Sequence, residues 1–133
     1  MRWQLRVTEW HQEAPRGGNV IFTASVIAAN PEPLIIDYGS FKAAVVHLAK
    51  SLVIQLAPSG IRVNAVALVL IDTPFSSIVR ISTGQLRMQT DGIPYGRVGQ
   101  PAKMASLYVS LADPQTTLTS GEVRAAPGTL PAL

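Results

Sequence analysis

The chain has 133 residues, 47% of them hydrophobic and 14% charged, a balance that excludes a disordered polypeptide and suits one domain with a single core. Its formal net charge of +3 is spread over scattered basic residues with Asp and Glu between them, so nucleic acid is not an expected partner. Cysteine is absent, which removes disulfides, thiolate metal sites and thiol nucleophiles.

The opening stretch MRWQLRVTEWHQE interleaves Arg2, Gln4, Arg6 and Glu9 with apolar residues and lacks the continuous apolar segment of a secretory signal. A cytoplasmic location is the expectation. Trp3 and Trp10, seven apart, have the spacing of a helical packing stripe. After Gly17-Gly18, residues 18–24 (GNVIFTA) form an apolar run rich in β-branched and aromatic residues, which reads as a buried strand. ANPEPL then interrupts regular structure with two prolines.

From Asp37, the residues Phe41, Val45, Leu48 and Leu52 recur at helical spacing, which predicts a helix over 37–57 with that face inward, closed by Pro58-Ser59-Gly60. IRVNAVALVLI (61–71) follows as a second strand, apolar almost throughout, as expected where both sheet faces are covered. Its AVALVLI is the longest uninterrupted apolar run, far below the roughly 20 residues that cross a bilayer, so no membrane span is expected.

Thr73-Pro74 has the form of a helix start, with Thr73 as cap and Pro74 at the first helical position. The stretch from there to about Gly99 has no clear period. A further helix begins at Pro101, with Met104, Leu107, Tyr108 and Leu111 at helical spacing, and stops at Asp113-Pro114. GEVRA (121–125) reads as a last strand. Strands alternating with helices predict an α/β fold with about three parallel strands and flanking helices.

The chemistry-bearing residues lie in SVIAANPEPLIIDYGSFK (25–42). Tyr38 and Lys42 are four apart, hence neighbours on one helix face. A phenol is a poor acid or base at neutral pH, and a nearby ammonium favours its ionised form, which suits it to general acid/base work. Ser25 ends a strand at the carboxyl side of the sheet, where ligands of open α/β folds collect, and its hydroxyl is placed to donate to a substrate carbonyl. By spacing alone, a Tyr-x-x-x-Lys pair is more often a solvated helix face, and a serine at a strand end more often a turn or capping residue. His47 reads as a solvated helix residue, and Asn64 as a buried hydrogen-bonding one.

Over about residues 17–125 the sequence resembles the short-chain dehydrogenase/reductases. GGNVIFTAS is similar to that family's fifth strand with its catalytic serine, and DYGSFKAAVVHLAKSLVIQLAPSGIRVNAVA to its tyrosine–lysine helix and sixth strand. GRVGQPAKMASLYVSLADPQTTLTSGEV resembles the next helix and last strand. The resemblance implies a Rossmann-like, partial doubly wound sheet, with Ser25, Tyr38 and Lys42 catalytic. It implies NAD or NADP as cofactor, contacted by Tyr38, Lys42, Ile71 and Thr73, and a small-molecule carbonyl or alcohol as substrate. It implies no nucleic-acid or membrane partner. A homo-oligomer or self-association is expected, through the exposed sheet edge at 19–23 and the 37–57 helix.

Several family features have no counterpart in these 133 residues. They are the four amino-terminal strands, the glycine-rich loop that holds the pyrophosphate, the residue that selects NAD or NADP, and the catalytic asparagine. Leu68 and Val69 stand where the family usually has Pro-Gly, and Ala126-Pro127-Gly128-Thr129 stands in place of a Val-Asp-Gly-Gly type ending. Two readings follow: an oxidoreductase of this type, or a truncated, non-catalytic remnant or interaction module that lacks the cofactor-binding half.

Overall fold

The computed structural model describes residues 17–76 and 96–126. Three parallel strands form one sheet in the order β1 (Gly18–Ser25), β2 (Ile61–Leu68) and β3 (Val123–Ala126), with β2 central. β1 runs alongside β2 from Gly18 opposite Ile61 to Ser25 opposite Leu68, and β3 covers the last four residues of β2. The second strand is shorter than the expected 61–71. Past Leu68 the chain leaves the ladder, and Ile71 instead makes an isolated bridge with Gly99, the residue just before the last helix. Parallel strands held on both sides are buried on both faces, and Val63, Ala65, Val66 and Ala67 are fully enclosed.

Helix α1 (Ile36–Leu56) starts after a short 3-10 turn, Pro33–Ile35, and ends through another, Ala57–Ser59. Gly60 then takes a left-handed φ of 72°, the conformation that turns the chain from helix into β2 and that a side chain adopts only with strain. α1 covers the sheet face bearing Val20, Phe22 and Ala24 of β1, Ile61, Val63, Ala65 and Ala67 of β2, and Val123 of β3. The residues it buries are Val46, Ala49 and Leu56, with Val45, Leu52 and Val53 half-buried beside them.

The expected inward face was Phe41, Val45, Leu48 and Leu52, and half of it is corrected: Phe41 is 63% and Leu48 41% exposed. Because α1 is apolar on more than one side, its period marks a helix without saying which side meets the sheet. Small Ala49 and compact Val46 allow the closest approach, and they win that position.

Helix α2 (Pro101–Ala112) lies against the opposite face, to which Asn19, Thr23 and Arg124 point by strand alternation. Asn19 donates from Nδ2 to the Leu111 carbonyl (2.8 Å), the Thr23 and Tyr108 hydroxyls pair at 2.9 Å, and Arg124 donates to Ser110 Oγ (2.8 Å). Of the expected stripe on this helix, Leu111 is fully buried and Met104, Leu107 and Tyr108 are half-buried.

Asn64 is fully enclosed within β2, as its reading as a buried hydrogen-bonding residue implied. It donates to the Thr119 carbonyl (2.9 Å) and accepts from the Glu122 N–H (3.1 Å), tying β2 to the turn before β3. His47 is on the exposed side of α1. Trp3, Trp10 and the stretch 77–95 lie outside the described residues.

Among the described residues, one helical stretch, Pro33–Ser59, is long and apolar enough to cross a bilayer by length and composition alone. The expectation that no segment qualifies rested on the run at 65–71 and missed it. Here that helix lies on the sheet through Val46, Ala49 and Leu56.

Candidate active site

Ser25 is the last residue of β1, and its side chain is buried at 6% exposure. Its Oγ accepts from the Ile27 N–H (3.3 Å), capping the 3-10 turn Val26–Ala28, and donates to the Leu68 carbonyl at 3.3 Å. Both bonds are long for a hydroxyl, and the proton is the more easily redirected of the two contacts because it turns about a single bond.

Tyr38 and Lys42 occupy the first two turns of α1. The Lys42 Nζ lies 5.6 Å from the Tyr38 ring centroid and 6.0 Å from that of Phe41, within reach of both rings' negative faces. The same ammonium donates to the Thr23 carbonyl at 2.8 Å. Thr23 is two residues before Ser25, so this bond ties the helix pair to the strand end that carries the serine.

Among the described residues, two of the three ammonium donors remain for other partners. Among the described residues the Tyr38 hydroxyl makes no hydrogen bond, and its ring packs against Phe75 at a centroid distance of 6.1 Å, tilted by 32°. Gly39, beside Tyr38, lets the helix start close onto the turn after Ser25: a Cβ there would come within 3.1 Å of Ile27 Cγ2.

The expected cofactor contacts at Ile71 and Thr73 are engaged within the chain. Thr73 Oγ1 accepts from the Ser76 N–H (3.3 Å) while Ser76 Oγ accepts from the Thr73 N–H (2.9 Å), a reciprocal cap on a helical turn at 74–76, as the Thr73-Pro74 signal implied. Ser76 is buried at 5% exposure, and its hydroxyl lies 2.6 Å from the Ile71 carbonyl and 2.8 Å from that of Thr73. One hydroxyl proton serves one of these carbonyls at a time.

Thr23, Gly39, Phe75 and Ser76 were not singled out from the sequence. Only Phe75 and Ser76 carried a signal, their place just after a helix start; the role of Thr23 belongs to its backbone and leaves no trace in residue type. A cavity of about 470 Å³ opens at the other end of the sheet, lined by Gly17, Gly60, Arg62 and Pro114 among others. It is remote from Ser25, Tyr38 and Lys42, and the Arg62 guanidinium beside it is committed to the Thr119 and Asp113 carbonyls.

A family model described as Enoyl-(Acyl carrier protein) reductase matches residues 6–128. An oxidoreductase of Escherichia coli, YghA, is 36% identical over 113 residues, covering 82% of this chain and 37% of the relative. The chain belongs to the short-chain dehydrogenase/reductase family.

Within that family, human dehydrogenase/reductase SDR family member 4 is 32% identical over 106 residues, covering 80% of this chain and 38% of the relative. A short-chain type dehydrogenase/reductase from Mycobacterium marinum superposes with a TM-score of 0.76 at 34% identity, covering 86% of this chain and 46% of that one. A variant of actinorhodin polyketide ketoreductase, solved with NADPH, superposes with a TM-score of 0.77 at 26% identity, covering 84% and 46%. The three strands and their helices are therefore a Rossmann-like half-sheet, and the chain spans less than half the length of these relatives.

Proposed function

We propose that the chain carries the catalytic half of an NAD- or NADP-dependent oxidoreductase acting on a carbonyl or alcohol. The observation that carries this reading is the position of the Lys42 ammonium, bonded to β1 at Thr23 and 5.6 Å from the Tyr38 ring. It draws the serine's strand end and the tyrosine's helix toward one place. Ser25 turns its hydroxyl proton from the Leu68 carbonyl to the substrate oxygen, keeping its bond from Ile27 N–H. Tyr38 exchanges a proton with that same oxygen.

The residues present fit the nicotinamide end of the cofactor. Among the described residues Lys42 has two unspent donors for ribose hydroxyls and the Tyr38 hydroxyl has no hydrogen-bond partner; Phe75, packed on the Tyr38 ring, is two residues from Thr73. The bound dinucleotide supplies or accepts the hydride. Its pyrophosphate needs a glycine-rich turn at a helix start, which these 133 residues do not contain. Titration with NADH and NADPH, followed by dihydronicotinamide fluorescence, is expected to show weak binding to this chain alone and saturable binding once an amino-terminal half of the family is supplied. Absence of binding by the pair would refute the enzymatic reading. It would favour the second one, a non-catalytic remnant or interaction module.

A cytoplasmic location and self-association as a homo-oligomer are part of this proposal. What supports self-association is the exposed apolar residues of α1: Ile36 is 69%, Phe41 63%, Leu48 41% and Ile54 82% exposed. Exposed apolar surface of this amount on one helix favours an interface. Light scattering is expected to show dimers or larger species at micromolar concentration, shifting toward monomer in the double variant Leu48→Glu, Ile54→Glu. A monodisperse parent monomer would sink this expectation.

A further inference from the structure

Phe75 is 60% exposed beside the residues proposed to do the chemistry. Single exposed apolar side chains are common on protein surfaces and need no explanation of their own. Phe75 differs from them in its neighbour and in its support. Its ring meets that of Tyr38 at a centroid distance of 6.1 Å and a tilt of 32°, within the range of attractive aromatic pairs. Tyr38 comes from α1 and Phe75 from the turn after β2, so this contact joins two elements at the phenol, whose hydroxyl has no hydrogen-bond partner among the described residues. At the entry to α1, Leu34, about one helical turn before Tyr38, adds a second exposed apolar side chain at 58%.

The backbone under Phe75 is tied on both sides. Before it stands Pro74, whose ring fixes φ, and after it Ser76, which is buried. The Thr73 and Ser76 side chains each accept from the other's N–H, and the Ser76 hydroxyl lies 2.6 Å from the Ile71 carbonyl. Ile71 in turn bridges Gly99, with the Gly99 N–H on the Leu70 carbonyl (2.9 Å) and the Asp72 N–H on the Gly99 carbonyl (2.8 Å). An aromatic side chain carried on so restrained a turn loses little freedom when a ligand covers it, which makes it an efficient contact surface.

We infer that Phe75 determines specificity: its uncovered surface takes an aromatic ring attached to the carbonyl carbon of the substrate, so that the substrates are aryl ketones and the secondary alcohols that correspond to them. The inference rests on the role proposed above for Tyr38, whose hydroxyl holds the reacting oxygen next to the residue that carries Phe75's contact. The ketone gains a hydride from the dihydronicotinamide and a proton through Tyr38, and leaves as the alcohol. A saturated substituent would gain only burial against Phe75. A flat ring gains in addition the offset pairing that this residue already makes with Tyr38. A carboxylate or phosphate at the same place would lose water without receiving a donor from the phenyl ring.

Two measurements test it. In the first, 1-phenylethanol is titrated into the 133-residue chain and the ring-proton resonances of Phe75 and Tyr38 are followed, with 1-cyclohexylethanol as the saturated control. Both rings are expected to shift saturably, with half-saturation at about fivefold lower concentration for the phenyl compound. In the second, the chain assembled with an amino-terminal half is given acetophenone and cyclohexyl methyl ketone, and the ratio of their kcat/KM values is read. Phe75→Leu is expected to lower that ratio about fivefold and Phe75→Tyr to keep it. A general loss of activity cancels in the ratio, so a merely structural Phe75 would leave it unmoved. Turnover of both ketones with the same ratio in Phe75→Leu overturns the specificity role and leaves the enzymatic reading intact. Saturable shifts at Phe75 with no ketone turned over support the aryl site while the enzymatic reading fails. Absence of a saturable shift at Phe75, or equal affinity for the two alcohols, overturns the aryl site.

Discussion

In the chain assembled with an amino-terminal half, Tyr38→Phe is expected to lower kcat for carbonyl reduction about a thousandfold while leaving the melting temperature within about 1 °C of the parent. The two halves of this expectation have separate causes. The hydroxyl makes no hydrogen bond among the described residues, so its removal orphans no partner. The ring that remains keeps its contact with Phe75 at 6.1 Å and its place beside the Lys42 ammonium. Lost is the one group at this end of the sheet proposed to pass a proton to the substrate oxygen. In free-energy terms, a thousandfold is about 4 kcal/mol of transition-state stabilisation. Substrate KM should change little, since Ser25 still donates to the same oxygen. Stopped-flow turnover with NADPH, set beside a thermal melt, checks both halves together. A variant that keeps more than a tenth of the parent rate would remove Tyr38 from the chemistry.

Asn64→Leu is expected to cost about 3 kcal/mol of folding stability, a fall of roughly 10 °C in Tm. Leucine keeps the branched shape and the number of side-chain heavy atoms but is bulkier, so the loss is mainly polar with some overpacking added. The side chain is wholly enclosed, and both of its ends are used: Nδ2 on the Thr119 carbonyl and Oδ1 on the Glu122 N–H. Thr119 retains the Arg62 guanidinium at 3.3 Å, whereas the Glu122 N–H has no second partner among the described residues. The orphaned N–H should therefore account for most of the effect, and β3, entered directly after Glu122, should fray first. Arg62→Met, by comparison, removes bonds from a half-exposed side chain and is expected to cost under about 1 kcal/mol. Urea unfolding of the two variants decides the matter: equal losses would show that Asn64 is not the tie between β2 and β3.

Much of this molecule was legible in residue order, for reasons that differ from element to element. GNVIFTA and IRVNAVAL are largely apolar runs with β-branched residues, each entered from a glycine turn, a pattern that suits buried parallel strands. Thr73-Pro74 and Pro101 marked helix starts through capping chemistry, which is local in the chain and so survives without tertiary context. The Tyr38–Lys42 adjacency follows from helical geometry alone. The end of β2 was less visible, because VLI at 69–71 is as apolar as a strand interior. Ile71 leaves the ladder to bridge Gly99, a partner 28 residues on that no local pattern announces.

By itself, the sequence determined the α/β class, the order of strands and helices, and the one-turn proximity of the phenol and the ammonium, because each depends on spacing along a single element. Tertiary structure alone decided which side of α1 meets the sheet, since a helix apolar on more than one side carries no clear rotational mark and packing selects the side with the closest fit. It also decided that Lys42 reaches the Thr23 carbonyl of β1, and that Ser25 holds the Leu68 carbonyl. Those contacts join backbone to side chain across elements, and a backbone carbonyl has no letter in the sequence.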